Sequence, residues 1–225
     1  MNTAIIVAAG TGIRLGSELP KQYIQIDNKP VIRYSLERFD EAPSIDEIVV
    51  VVARDEVDRF DRLLKGSAIL KPVRVTIGGS TRALSVWNGL ESISSDDGIV
   101  AVHDAARPLV TTDEIERTIA AAATTGAACL TAAINDTVKA LTAGVITSTI
   151  DRSTLRRALT PQAFRIELLR RAFAESQLGS HVSDECYLVE KLGHPIASVE
   201  GSSRNIKITV ADDLLVAKTF LAEQL

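Results

Sequence analysis

Residues 47–53 read EIVVVVA, and this run of β-branched residues constrains the fold more than any other part of the chain. A strand that is apolar on both faces needs cover on both faces, which is typical of parallel sheets flanked by helices. Aromatic residues make up only 4% of the chain, so the core must be built from Ala, Val, Ile and Leu. The run therefore favours an α/β fold.

The rest of the chain alternates apolar runs with segments that carry apolar residues at helical spacing. The pattern predicts further strands at residues 4–9, 73–77, 99–102, 127–134, 196–199 and 205–209. It predicts helices at residues 30–39, 55–64, 165–175, 183–192 and 211–225, and two more that begin at the N-caps Ser80 and Thr112. This order predicts a mostly parallel, Rossmann-like sheet with helices on both faces.

Residues 135–152 interrupt the alternation. Within them, residues 137–141 and 145–150 flank Thr142-Ala143-Gly144, a turn sequence that predicts a β-hairpin. The hairpin is polar and β-branched and has little helix opposite it, so we expect a protruding arm that packs on a partner subunit. The simplest description is a single domain, residues 1–225, with a dimerisation arm at residues 135–152.

Charge and hydropathy exclude several classes of function. The formal net charge of −4 argues against a general binder of nucleic acids or membrane surfaces. No apolar stretch reaches the roughly 18 residues that span a bilayer, and no basic region precedes the first apolar run as in a signal peptide. We therefore expect a cytoplasmic protein that holds anionic ligands with a few placed Lys or Arg residues.

A glycine-rich loop, AAGTGIRLG at residues 8–16, follows the first predicted strand. Glycines at this point leave backbone N–H groups open to an anion. The loop matches neither the GxGxxG nor the Walker A pattern. However, Arg14 within the loop and Lys21 after it can neutralise a triphosphate from two sides. The alternative is a tight turn with two solvated cations.

Two more strand ends carry candidate ligand contacts. Gly78-Gly79 would let a ring approach the backbone, with Ser85 as a hydroxyl contact one turn into the next helix, although a plain turn is as consistent with the pattern. Asp104, in the sequence HDAARP, ends another strand and would point into the ligand crevice of an open α/β sheet. Mg²⁺ prefers one or two carboxylates with phosphate oxygens, so Asp104 is a candidate ligand. The alternative is that Asp104 caps the next segment or pairs with Arg107.

Residues late in the chain are of the types that hold a second phosphate. They are Thr137, Lys139, Arg152, Thr160 and Lys207. Lys207 alternates with Ile206 and Ile208, so it faces away from the apolar side of its predicted strand. A surface lysine on an edge strand is the alternative.

These motifs in this order resemble a known family. AAGTGIRLG, PKQY, GGSTRALSV, VHDAARP, DTVK, TPQAF, SDE and NIKIT span nearly the whole chain. Together they resemble the 2-C-methyl-D-erythritol 4-phosphate cytidylyltransferase family of nucleotidyltransferases, which have a modified Rossmann fold. The resemblance implies Mg²⁺-dependent transfer of CMP from CTP to this polyol phosphate in non-mevalonate isoprenoid biosynthesis, with release of pyrophosphate.

The resemblance also implies roles for particular residues. The catalytic residues would be Arg14, Lys21, Arg152 and Lys207, and the metal ligand would be Asp104. The nucleotide would be bound by Ala8, Ala9, Gly10, Gly12, Gly79, Ser80, Arg82, Ser85 and Ala105. The polyol phosphate would be bound by Arg107, Thr137, Arg152, Thr160 and Lys207. The hairpin arm would be exchanged in a homodimer, so that Thr137 and Arg152 reach the partner's site.

Two other functions fit parts of the pattern. Ribitol-5-phosphate cytidylyltransferases carry nearly the same motifs, but they tend to show LAGG and HDAVRP where this chain has VAAG and HDAARP. A non-catalytic nucleotide-sensing module would be expected to lose the charge-neutralising residues, which are all present. The chain departs from the family pattern at Ser80, Ser183 and Cys186-Tyr187.

Overall fold

The computed structural model describes residues 1–10, 19–176 and 182–223. Their strands are β1 (Thr3–Ala8), β2 (Gln25–Ile26), β3 (Lys29–Pro30), β4 (Glu47–Val52), β5 (Val73–Ile77), β6 (Ile99–Asp104), β7 (Ala127–Ala133), β8 (Val138–Thr142), β9 (Val145–Ile150), β10 (Arg156–Arg165) and β11 (Ala197–Glu200). Seven of them form the central sheet, in the order β11-β7-β10-β6-β1-β4-β5. All except β10 run in the same direction, which confirms the mostly parallel sheet.

Helices cover both faces of the sheet, as predicted. They are α1 (Val31–Glu41), α2 (Val57–Lys65), α3 (Arg82–Glu91), α4 (Thr112–Thr125), α5 (Ile166–Glu175), α6 (Glu185–Lys191) and α7 (Ala211–Ala222). Successive residues of β1 face opposite sides. Ile6 lies in one core cluster with Leu36 of α1, while Ile5 lies in a second with Val86 of α3. Among the described residues, no helix is long and apolar enough to cross a membrane.

The sequence pattern does not predict β10, which lies in the middle of the sheet between β6 and β7. Its pairing with β7 shifts register between Ala158 and Gln162. Pro161 lies at this irregularity, and a proline within an apolar run argues against a central strand because it cannot donate a ladder hydrogen bond. The register shift accommodates Pro161 in the strand ladder. The proline is the reason that the sequence pattern does not predict this strand.

Two predicted helix caps are wrong by one residue. The cap of α3 is Thr81 rather than Ser80, since the Thr81 hydroxyl accepts the backbone N–H three residues on at 3.1 Å. The cap of α4 is Thr111 rather than Thr112, in a capping box with Glu114. In both places two residues of capping type stand in tandem. The residue type alone therefore does not select the cap.

Residues 205–209 do not form the predicted strand. Hydrogen bonds to other parts of the chain hold this segment instead. Arg107 Nη1 donates to the Asn205 carbonyl at 2.8 Å. Ile208 donates one backbone hydrogen bond, also at 2.8 Å, to the loop after β6. Neighbouring side chains of this segment still face different surroundings, as the alternation predicts. Ile208 is buried in the core, whereas Lys207 lies at the edge of a cavity.

The predicted hairpin is confirmed. β8 and β9 pair in antiparallel orientation and form a sheet of their own. Ala143 and Gly144 connect them with φ values of 49° and 81°, as a two-residue hairpin turn of this hand requires. Every side chain of residues 141–149 is exposed, including Leu141, Val145 and Ile146. The arm therefore presents apolar side chains to solvent.

Candidate active site

A cavity of about 570 Å³ opens at the carboxyl ends of β1, β5 and β6. It is lined by Val7, Ala8, Ala9, Gly10, Lys21, Gln22, Gly79, Ser80, Thr81, Arg82, Ser85, Asp104, Ala105, Ala106 and Lys207. The strand order explains its position. From β1 the chain continues to β4 and β5 on one side and then crosses to β6 on the other. Loops diverge at such a switch point and leave a crevice.

Gly78 allows α3 to approach the end of β1 closely. A Cβ atom at Gly78 would lie 2.4 Å from the Ala9 Cβ and 2.9 Å from the Ser85 Oγ. The Ser85 hydroxyl accepts the Gly79 N–H at 3.1 Å and donates to the Thr81 carbonyl at 2.9 Å. This hydroxyl therefore orders the turn, and the glycine pair brings the turn against the strand end.

The segment after the first loop forms another part of the wall. Gln22 Nε2 donates to the Ala8 carbonyl at 2.6 Å, and Lys21 Nζ donates to the Ile208 carbonyl at 3.0 Å. These bonds tie the segment both to the end of β1 and to the segment that carries Lys207. Two lysines distant in sequence thus lie at one cavity. Gln22 was not among the predicted site residues, although it belongs to the PKQY motif.

Asp104 is the centre of an ion cluster at the cavity wall. Its Oδ1 accepts from Arg82 Nε at 2.9 Å, and its Oδ2 lies 2.8 Å from Lys207 Nζ. Arg107 Nε lies 3.7 Å from the same Oδ2. The carboxylate is only 7% exposed, so water screens these interactions weakly.

The charges around Asp104 fix its protonation state. Burial by itself raises the pKa of Asp104, but Arg82 and Lys207 outweigh it and hold the pKa well below its usual range. Burial lowers the pKa of Arg82, and its two carboxylate partners, Glu185 and Asp104, more than reverse that shift. Asp104 is therefore a fixed negative charge at neutral pH and a poor proton acceptor.

Glu185, at the start of α6, is a second buried carboxylate in the cluster. Its Oε1 accepts from Arg82 Nη1 at 2.7 Å, while its Oε2 has no hydrogen-bond partner among the described residues. Burial raises the pKa of Glu185, and Arg82 opposes that shift. Glu185 was not among the predicted site residues. The acidic pair in the SDE motif is the one feature that could have indicated it.

His103 and Thr160 support Asp104 from the side of the sheet. His103 Nε2 lies 3.2 Å from the Arg107 carbonyl, so this nitrogen carries the proton and Nδ1 accepts from the Thr160 hydroxyl at 3.0 Å. The Thr160 Oγ1 in turn accepts the Asp104 N–H at 3.1 Å. Burial lowers the pKa of His103 to about 3, so the ring is neutral at pH 7. His103 thus holds the strand end in place.

The cavity brings together most of the residues that the sequence predicts for a nucleotide site. Those that line it are Ala8, Ala9, Gly10, Lys21, Gly79, Ser80, Arg82, Ser85, Asp104, Ala105 and Lys207. These residues lie together at one cavity, and their roles stay predictions.

Other predicted residues lie elsewhere. Arg107 and Thr160 lie next to Asp104 without lining the cavity. Thr137 and Arg152 flank the hairpin and are exposed, and Arg152 donates to the Asn135 carbonyl. The predicted residues Gly12 and Arg14 lie outside the described residues.

A family model described as 2-C-methyl-D-erythritol 4-phosphate cytidylyltransferase matches residues 2–223 of this chain. The chain belongs to this family. A member from Syntrophotalea carbinolica is 42% identical over 96% of this chain and 94% of its own length. Another, from Desulforamulus reducens, is 39% identical over 97% of this chain and 94% of its own. Both carry the name of the family.

Solved structures lead to the same family. The crystal structure of 4-diphosphocytidyl-2C-methyl-D-erythritol synthase from Anaerococcus prevotii superposes with a TM-score of 0.87 at 28% identity and covers 99% of this chain and 96% of its own. The 2-C-methyl-D-erythritol 4-phosphate cytidylyltransferase of Francisella tularensis gives a TM-score of 0.80 at 33% identity, over 100% and 99% of the two chains. Family membership confirms the resemblance that the motifs carry.

The Thr160 hydroxyl gives a direct test of how the end of β6 is held. Thr160→Val should lower the free energy of unfolding by about 1–3 kcal/mol, because it leaves the Asp104 N–H and His103 Nδ1 buried without a partner. Urea unfolding followed by circular dichroism measures this loss. Thr160→Ser keeps the hydroxyl and should lose clearly less. Equal losses in the two variants would assign the effect to the methyl group and contradict the hydrogen-bond role.

Proposed function

We propose that this chain transfers CMP from CTP to 2-C-methyl-D-erythritol 4-phosphate, giving the CDP-alcohol and pyrophosphate, in isoprenoid precursor biosynthesis. Membership of the family supports this proposal, as does the name that its relatives from Desulforamulus reducens and Syntrophotalea carbinolica carry. The observation that carries it is the cavity itself. Arg82 and Lys207 pair there with a carboxylate, Asp104, that stays ionised, and Lys21 lines the same cavity.

The proposed reaction needs no protein base. A phosphate monoester has a second pKa near 6, so the acceptor is mostly dianionic at pH 7. One of its oxygens attacks the α-phosphorus of CTP, and the bond from this phosphorus to the bridging oxygen breaks, so that pyrophosphate leaves with the electron pair. The obstacle is repulsion between anions. Catalysis then consists of positioning and charge neutralisation, which the cations that line the cavity would supply.

Lysines at two sides of the cavity supply positive charge for the phosphates. Lys21 would stabilise the charge that develops on the α-phosphate and on the leaving pyrophosphate, and the family resemblance implies the same role for Arg14. Lys207 would align the acceptor phosphate. The cytosine would be bound by Ala8, Ala9, Gly79 and Ser85, mainly through backbone groups, and Ala105 would lie near the ribose.

Asp104 fits a divalent cation, for which we propose Mg²⁺. This ion takes one or two carboxylates and completes its octahedron with phosphate oxygens and water. Each oxygen of Asp104 accepts one close bond, from Arg82 or Lys207, and keeps a second lone pair. In the described part of the chain, no three potential ligands converge on a metal position, so phosphate oxygens of CTP would supply much of the coordination. Bound there, the cation would offset charge on those phosphates.

We propose a homodimer in which the hairpin arm completes the partner's site. Thr137 and Arg152 flank the arm and lie outside the cavity of their own chain. The exposed Leu141, Val145 and Ile146 give the arm an apolar surface to bury against a second copy. The remaining partners are the two small substrates. A net charge of −4 argues against a nucleic-acid partner, and a cytoplasmic location stays a prediction.

A substrate comparison tests the proposed function and its nearest alternative. With CTP and Mg²⁺, pyrophosphate release should proceed with a kcat/KM for 2-C-methyl-D-erythritol 4-phosphate at least about tenfold above that for ribitol 5-phosphate. Equal or better use of ribitol 5-phosphate would favour the ribitol enzyme. Nucleotide binding without release of pyrophosphate from CTP in the presence of either acceptor would instead indicate a nucleotide-sensing module.

Mixing two inactive variants tests the exchanged arm. Lys21→Ala and Arg152→Ala should each lower kcat by at least about 10²-fold, the loss expected for one transition-state donor. If Arg152 acts in the partner's site, a mixed dimer has one site with both residues intact. Co-refolded variants should then recover a substantial part of the activity, measured as pyrophosphate release. No recovery, with light scattering showing that dimers have formed, would place Arg152 and Lys21 in the same chain's site.

A further inference from the structure

The proposed reaction assigns no role to Glu185, the second buried carboxylate of the ion cluster at the cavity wall. Glu185 is 0% exposed, and its carboxylate makes its one described ion pair with Arg82. Its second oxygen has no hydrogen-bond partner among the described residues. Burying an ionised carboxylate costs several kcal/mol, and an apolar side chain of similar size often costs less. Packing alone therefore does not account for a glutamate here.

Arg82 is shared between two carboxylates. Its Nε donates to Asp104 Oδ1 at 2.9 Å, and its Nη1 donates to Glu185 Oε1 at 2.7 Å. A guanidinium that faces a single carboxylate prefers to form two parallel hydrogen bonds with it. Without Glu185, Arg82 could therefore take both oxygens of Asp104 and displace Lys207, which holds Oδ2 at 2.8 Å.

The neighbours of Glu185 hold it firmly in place. Asp184 caps α6 by accepting the Tyr187 N–H at 3.0 Å. Gln162 of β10 donates to Asp184 Oδ2 at 2.8 Å and accepts the Cys186 N–H at 3.1 Å. The start of α6 is thus fixed to the central sheet on both sides of Glu185. A carboxylate fixed in this way can define the orientation of a mobile arginine side chain.

We infer that Glu185 is a positioning residue for nucleotide binding. Glu185 holds Arg82 toward the cavity, and so keeps Arg82 from fully neutralising the charge of Asp104. The inference rests on the proposed function. Glu185 does not line the cavity, whereas Arg82 and Asp104 both do. It acts through Arg82, whose Nη2 group makes no described hydrogen bond and is available to an anionic ligand.

A double-mutant cycle on CTP binding tests this role. Glu185→Gln keeps the size of the side chain and removes its charge, and Glu185→Met also removes the acceptor. Each should raise the Kd for CTP, measured by isothermal titration calorimetry with Mg²⁺ and no acceptor, by about tenfold. In the Arg82→Gln background, the same changes should have no further effect, because Glu185 acts through Arg82. Glu190→Gln, an exposed change on the same helix, should leave the Kd unchanged in both backgrounds.

The outcomes separate this inference from the proposed function. If Glu185→Gln and Glu185→Met bind CTP like the unmodified protein, or if their losses add fully to that of Arg82→Gln, Glu185 is not a positioning residue. Circular dichroism of each variant identifies any loss that comes from unfolding. If the unmodified protein itself neither binds CTP nor releases pyrophosphate, it is the proposed function that fails.

Discussion

The buried carboxylate of Asp104 organises the site, and segments distant in sequence supply the charges that balance it. Arg82 comes from α3, Lys207 from the segment before α7, and Arg107 from the loop after β6. Removing one partner of a buried ion pair typically costs about 3–5 kcal/mol, because the remaining charge stays uncompensated. The ion pairs that stabilise the contacts between these segments also place the charges at the cavity.

The sheet places this cluster beside the carboxyl end of β1. β1 lies between β4 and β6, and the chain crosses from one side of β1 to the other, so the cavity opens at the carboxyl ends of these strands. Gly78 allows α3 to come within contact distance of the strand end, and α3 brings Arg82 with it. Topology sets the position of the cavity, and local contacts then place positive charge in its walls.

Residues at the ends of buried strands are predictable from sequence, and residues that act through tertiary pairs are not. Asp104 and Gly79 follow apolar runs, so their position at the crevice follows from the parallel sheet. Glu185 follows no such run. Its ion pair with Arg82 depends on the tertiary fold, which brings the start of α6 to the start of α3, and no periodicity encodes this contact. β10 is missed because Pro161 interrupts its pattern, and the choice of Thr81 over Ser80 as a cap depends on backbone geometry.

If charge placement rather than proton transfer drives the reaction, the pH dependence of kcat/KM for the acceptor belongs to the substrate. The direct measurement is kcat/KM for the acceptor against pH at saturating CTP and Mg²⁺, for 2-C-methyl-D-erythritol 4-phosphate and for its phosphonate analogue, whose second pKa is higher. The acid-side inflection should lie near the second pKa of the acceptor, about 6 for the phosphate, and should move upward with the phosphonate. An inflection at the same pH for both acceptors would indicate a titrating protein base and contradict the assignment of Asp104 as a fixed charge.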